Sequence, residues 1–139
     1  MSDENCIFCK IIAGIFPSVK VYEDDAVIAF MDIMPQADGH LLVVPKMHGS
    51  NLWDIDDKAA EAMIRTTRRL AKAAKTALNS DGVQIMQFNG AAAGQTVFHV
   101  HTHIIPRWAG QDLRFHARDP VDPASLVPMA AKIAEAIQS

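Results

Sequence analysis

Long apolar stretches are missing from this sequence. No run approaches the roughly 18 apolar residues that a membrane-crossing helix needs, so no membrane partner is expected. Cysteine is scarce, with two in 139 residues, too few to staple a small secreted domain. Met1 to Asn5 is polar and acidic, without the basic and apolar segments of an export signal. A cytoplasmic location is the expectation. An excess of positive charge is lacking too: 13 Lys and Arg face 16 Asp and Glu, for a formal net charge of −3. Such a chain has no global field to draw nucleic acid. With 50% hydrophobic and 21% charged residues it can bury a core and is not disordered. The length fits a single domain over 1–139.

Histidine is what the chain has in unusual measure. There are six, and three of them, His99, His101 and His103, fall within five positions. No repeat or linker divides the chain. Cys6 to Ala13 reads as a short helix stopped by Gly14, and Val19–Tyr22 with Val27–Asp32 as a hairpin. Leu41 to Val44 reads as a strand ended by Pro45. Asp56 is the expected N-cap of a long helix, Asp57 to Leu78, with an apolar stripe of Met63, Ile64, Thr67, Leu70, Ala71, Ala74 and Leu78. Its five cations, Arg65, Arg68, Arg69, Lys72 and Lys75, mostly lie off that stripe and read as a solvated face. Strands are expected over Val83–Asn89 and Val97–Pro106, around a small-residue loop from Gly90 to Gly94. A polar stretch, Arg107 to Asp122, leads to a C-terminal helix beginning near Asp122-Pro123 or Ser125. His116 in that stretch reads as solvated. The order βββ-α-ββ predicts an α+β domain, an antiparallel sheet with its helices on one side.

On a strand over 97–106, alternation sends His99, His101 and His103 to one face and Val100, Thr102 and Ile104 to the other. The imidazoles would be spaced about 6.7 Å apart, in a row about 13 Å long. Neighbouring imidazoles repel once protonated, so the row makes sense only around a polar site or ligand.

His99-Val100-His101-Thr102-His103-Ile104-Ile105 resembles the His-φ-His-φ-His-φ-φ signature (φ apolar) of the histidine triad (HIT) nucleotide-binding family. Asn89-Gly90 followed by Gly94-Gln95-Thr96-Val97 is similar to the family's approach to that strand. Phe30 to Gln36 and His40 to His48 are similar to its Asp-Ile-x-Pro and Gly-His-x-Leu-Val-x-Pro-Lys segments. The resemblance covers roughly Cys6 to Arg107. Thr102 departs from the pattern, being polar where the signature prefers an apolar residue, and the tail over 108–139 lies outside the resemblance. The implied fold is a five-stranded antiparallel sheet with a long helix, usually in a symmetric homodimer that joins two sheets.

The resemblance implies hydrolysis or transfer at a nucleotide α-phosphate, of a phosphoramidate or a dinucleoside polyphosphate, with purines favoured. His101 would be the nucleophile: a neutral imidazole has a free ring nitrogen, and a backbone carbonyl holding the other nitrogen's proton would fix the tautomer. His103 would hydrogen-bond the phosphate oxygens, with His99 as the first member of the triad. Thr96 and the Gln95 region would touch the phosphate or leaving group, Asn89 would donate to phosphate, and backbone N–H groups of the Gly90–Gly94 loop could approach it. By resemblance Asp32 accepts both ribose hydroxyls, Phe30 and Ile33 line the base slot, and His40 supports the triad.

Cys6 and Cys9 could be a redox pair, two buried thiols or half of a zinc site; the element order lacks the βαβ context of a thioredoxin-like motif. Some bacterial HIT proteins with a similar start hold zinc, and the resemblance implies a structural site of Cys6, Cys9, His48 and His99. Two rivals remain. One is a metal hydrolase with the three histidines as ligands; the other is a nucleotide-binding module without catalysis.

Overall fold

The computed structural model describes residues 3–111 and 119–137. The expectation for His116 lies outside the described residues. Helix α1 spans Ile7–Ile12, strands β1, β2 and β3 span Lys20–Glu23, Val27–Met31 and Leu41–Pro45, and helix α2 runs over Asp57–Leu78. Strands β4 (Gly82–Met86) and β5 (Thr102–Arg107) follow, then helix α3 (Val127–Glu135). The five strands form one antiparallel sheet in the order β1-β2-β3-β5-β4, the sheet the sequence predicts. Among the described residues no helix is long and apolar enough to cross a membrane.

Strand periodicity divides the core into two layers. Ala29, Met31, Leu41, Val43, Val100 and Ile104 face α2 and α3, and pack with Met63, Leu70, Ala74, Ala130 and Ile133. The alternate residues Ile28, Phe30, Leu42 and Val44 face the other way and pack with Cys6, Phe8 and Cys9 of the N-terminal segment. The helices therefore do not all lie on one side: α1 is too short to cover the sheet but seals the face carrying the histidines.

Helix α2 starts where expected, with the Asp56 side chain accepting the Ala59 N–H, and ends at Asn79 in a left-handed conformation. Its buried face is shifted from the expected stripe. Ile64 is 57% exposed, whereas Ala62, Thr66 and Ala73 are buried, because α3 packs on that flank of α2. Strand β5 is shorter than expected. Two residues on from Val43–Thr102, the next hydrogen-bonded pair would set Val100 opposite Pro45, which has no N–H to give. Val100 N–H donates instead to Gly49 O at 2.8 Å, so His99 and His101 lie just ahead of the regular strand.

Candidate active site and metal centre

The start of β5 brings the three histidines onto the face covered by α1, but not as an evenly spaced row. The rings of His101 and His103 are 4.8 Å apart, whereas His99 turns toward His48, 4.9 Å away. Each imidazole has its tautomer set by a partner of one polarity. His101 Nδ1 lies 2.7 Å from the carbonyl oxygen of His99, which can only accept, so Nδ1 carries the hydrogen and Nε2 keeps its lone pair. His99 Nε2 donates to Pro45 O at 2.7 Å, which leaves Nδ1 as the lone-pair nitrogen. His40 Nδ1 accepts the Gln36 N–H at 3.0 Å, so His40 Nε2 carries a hydrogen and donates to His103 Nδ1 at 3.0 Å. The remaining hydrogen of His103 then sits on Nε2.

Burial keeps these rings neutral. It lowers the pKa of His40 to about 3, with help from the charges of His103 and Arg107, and that of His103 to about 4, with help from His101. The pKa of His101 is lowered by burial, against its bond to the His99 carbonyl. Asp32 ends the β2 edge of the cleft. Burial raises its pKa, opposed by the Met34 N–H, which donates to Oδ1 at 2.8 Å. Its Oδ2 lies 3.4 Å from His40 Nε2. Asp32, His40 and His103 have the residue types of a metal cage, but the nitrogen that His40 turns to the others carries a hydrogen. His40 and His103 form a hydrogen-bonded pair, with Asp32 standing beside it.

A second cluster does fit an ion. The thiols of Cys6 and Cys9 and the Nδ1 atoms of His48 and His99 all lie within 4.8 Å of one another. Cys6 Sγ is 3.3 Å from His99 Nδ1, Cys9 Sγ is 3.3 Å from His48 Nδ1, and the two Nδ1 atoms are 3.1 Å apart. Ligand atoms around tetrahedral zinc stand about 3.3–3.8 Å apart, by the usual bond lengths. Asp3 lies 3.7 Å from His48 Nε2, the nitrogen facing away from the cluster.

A family model described as the HIT domain matches residues 14–110, more than half of the chain. The chain belongs to the HIT family. It is 49% identical to a Hit-like protein of Bartonella henselae, whose crystal structure superimposes with a TM-score of 0.92 over 97% of this chain and 98% of that one. A zinc-bound histidine triad protein of Mycobacterium smegmatis is 39% identical, with a TM-score of 0.83 over 94% of each chain. Adenylylsulfatase HINT3 of Arabidopsis thaliana is 40% identical over 119 residues, 81% of this chain and 60% of that protein. Members of the family are hydrolases and transferases.

In this HIT domain the loop before the triad is held by its own amides. Gly90 and Gly94 have φ of 96° and 104°, a region open to glycine, and they bracket a single turn, Ala91–Ala93. Gln95, 4% exposed, accepts the Gly90 N–H and donates to Ser50 O and Val97 O. Its side chain therefore fixes the loop. The amides of Gly90, Ala93, Gly94 and Gln95 are all engaged inside that loop. Asn89 accepts the Leu52 N–H and exchanges amide bonds with Gln87, whereas Thr96 is exposed. Phe30 is buried and Ile33 is 46% exposed beside Asp32.

Sequence reasoning missed Phe8, whose ring meets His101 edge-on at 5.1 Å, His99 at 6.0 Å and Phe30 at 5.4 Å. Its place between Cys6 and Cys9, on the buried side of α1, was the available signal. Phe88, against His103 at 5.4 Å, carried no signal beyond lying near Asn89.

Proposed function

We propose that the protein is a nucleotide-binding hydrolase that cleaves at the α-phosphate of a nucleoside phosphoramidate or dinucleoside polyphosphate through a nucleotidyl-histidine intermediate. The observation that carries this reading is the 2.7 Å bond from His101 Nδ1 to His99 O. It leaves Nε2 with its lone pair, and the carbonyl dipole stabilises the positive charge the ring acquires as it attacks. His101 Nε2 forms the bond to phosphorus while the leaving group departs with the electron pair of the broken bond. Water then breaks the P–N bond, giving a nucleoside monophosphate and restoring neutral His101. His103, with its Nε2 hydrogen set by the relay through His40, donates to the phosphate oxygens. Thr96 and Asn89 lie on the segment that would meet the phosphate or leaving group. Asp32 accepts the ribose hydroxyls, and Phe30 and Ile33 line a slot for a base, a purine by family resemblance. The adenylylsulfatase name of the plant relative agrees with chemistry at a nucleotide α-phosphate.

Zinc at Cys6, Cys9, His48 and His99 is part of the proposal, supported by the donor set and by the zinc-bound relative. Bound there, it would supply a structural cross-link between α1 and the sheet, and His101 and His103 remain outside its ligand set. We also propose a cytoplasmic homodimer. Strand β4 is a sheet edge on which Ile85 is 49% exposed; a stable monomer in light scattering would remove that part.

The test is turnover of a fluorogenic AMP phosphoramidate by the wild type and His101→Ala side by side. A loss of at least about a hundredfold in a folded variant is expected, and equal rates overturn the assignment. A chelator abolishes activity if the triad instead binds catalytic metal. AMP binding without turnover would identify a binding module.

A further inference from the structure

The residues beyond the family-matched span reach back to the nucleotide cleft. After the polar stretch the chain returns at Val121, whose backbone N–H donates to Ile33 O at 2.8 Å. Asp122 then caps a turn, Pro123–Leu126, through its bond from the Ala124 N–H, and Leu126 is anchored in the core. This turn packs beneath the loop that joins β2 to β3. Val121, Ser125, Leu126 and Met129 face Pro35 and His40 across a small cavity.

The bond at Ile33 matters because of the peptide group it holds. The carbonyl of Ile33 and the N–H of Met34 are the two ends of one planar unit. The oxygen end accepts from Val121, and the N–H end donates to Asp32 Oδ1 at 2.8 Å. A hydrogen bond at one end of a peptide polarises the group and strengthens the bond at the other. The Asp32 carboxylate is thus oriented by this peptide at Oδ1, while Oδ2 stands 3.4 Å from His40 Nε2, whose hydrogen goes to His103. Elsewhere the loop is closed on itself, with Asp32 N–H donating to His40 O and His40 N–H to Ala37 O. The Ile33–Met34 peptide is where the C-terminal segment takes hold of it.

We propose that Val121 is a positioning residue for nucleotide binding: its backbone N–H fixes the Ile33–Met34 peptide and, through it, the carboxylate that receives the ribose hydroxyls. The C-terminal segment is thereby part of the specificity apparatus for the sugar. This inference rests on the proposed role of Asp32, and the experiment separates the two.

Binding of AMP and of 2′,3′-dideoxy-AMP is measured by calorimetry for the wild type, Val121→Pro and Val121→Ala. Proline removes the N–H, whereas alanine keeps it and trims only the side chain. The wild type is expected to prefer AMP. Val121→Pro should lose about fivefold of that preference, the size expected for a neutral N–H to carbonyl hydrogen bond, and Val121→Ala should retain it. In turnover assays the loss in Val121→Pro should appear in KM, with kcat close to wild type, because His101 and His103 are untouched. If Val121→Pro does not fold, Asp122→Ala loosens the same turn and is read in the same way. A wild-type preference preserved in Val121→Pro, or lost equally in Val121→Ala, overturns the inference alone. No preference in the wild type overturns the ribose role of Asp32, and the inference with it.

Discussion

The hydroxyl oxygens of Thr102 and Thr67 lie 2.6 Å apart in the core between β5 and α2, and Thr67 donates its own hydrogen to Met63 O at 2.8 Å. Thr102 must therefore be the donor of the pair. The one polar departure from the histidine signature is thus matched by a polar residue on the facing helix. The two residues should respond unequally to mutation. Thr67→Val strands a buried donor and costs about 1–3 kcal/mol, whereas Thr102→Val removes that donor and costs about 1 kcal/mol or less. In the double variant neither hydroxyl is left, and its cost should fall below the sum of the singles. Urea unfolding of the four proteins checks this; strict additivity counts against the pairing.

Stability should fall in mild acid, through His40 and His103. Their folded pKa values of about 3 and about 4 lie below the ordinary 6.5. Below pH 6.5 the unfolded chain takes up protons that the folded rings refuse. The stabilisation is complete above that pH and is lost as pH falls toward 4 and then 3. Each histidine contributes a slope of about 1.4 kcal/mol per pH unit once pH is well below 6.5. Unfolding free energies from pH 8 to 4.5 should show His40→Asn with a shallower slope than the wild type. Identical slopes would mean that His40 titrates normally in the folded protein.

Much of this arrangement was legible because it depends on local pattern. The span of α2 followed from Asp56 and an interior free of glycine and proline, and β2 and β3 followed from their apolar runs. The shortened β5 did not, because its cause is the absent N–H of Pro45, opposite Val100 only once the strands are in register. Ile64 was misplaced because one helix cannot report which flank α3 covers. The tautomers of His40 and His103 depend on Gln36, whose role is a backbone N–H and leaves no trace in side-chain chemistry. Val121 was invisible for the same reason.

Removing one ligand of the Cys6–Cys9–His48–His99 cluster should separate stability from catalysis. Cys9→Ser is expected to lower bound zinc and to reduce Tm by at least about 5 °C, since metal binding contributes folding free energy directly. Most activity should survive, because His101 and His103 are not ligands. Metal analysis beside thermal melting makes the comparison, and equal zinc in the two proteins sinks the assignment.

Phe8 joins the metal cluster to the cleft, since one ring touches His99, a proposed zinc ligand, and His101, the proposed nucleophile. Phe8→Leu keeps most of the buried volume but loses the edge-on contacts, each worth about 0.5–1.5 kcal/mol. Phe8→Ala also opens a cavity and should cost about 3–5 kcal/mol of stability. The leucine variant is the informative one. It should bind zinc as the wild type does, because the thiols and imidazoles are retained, while kcat falls several-fold as His101 gains freedom to leave its attacking orientation. Single-turnover rates measured beside zinc content decide the matter. An unchanged rate in Phe8→Leu would reduce Phe8 to a core residue, and a parallel loss of zinc would place its effect in the metal site instead.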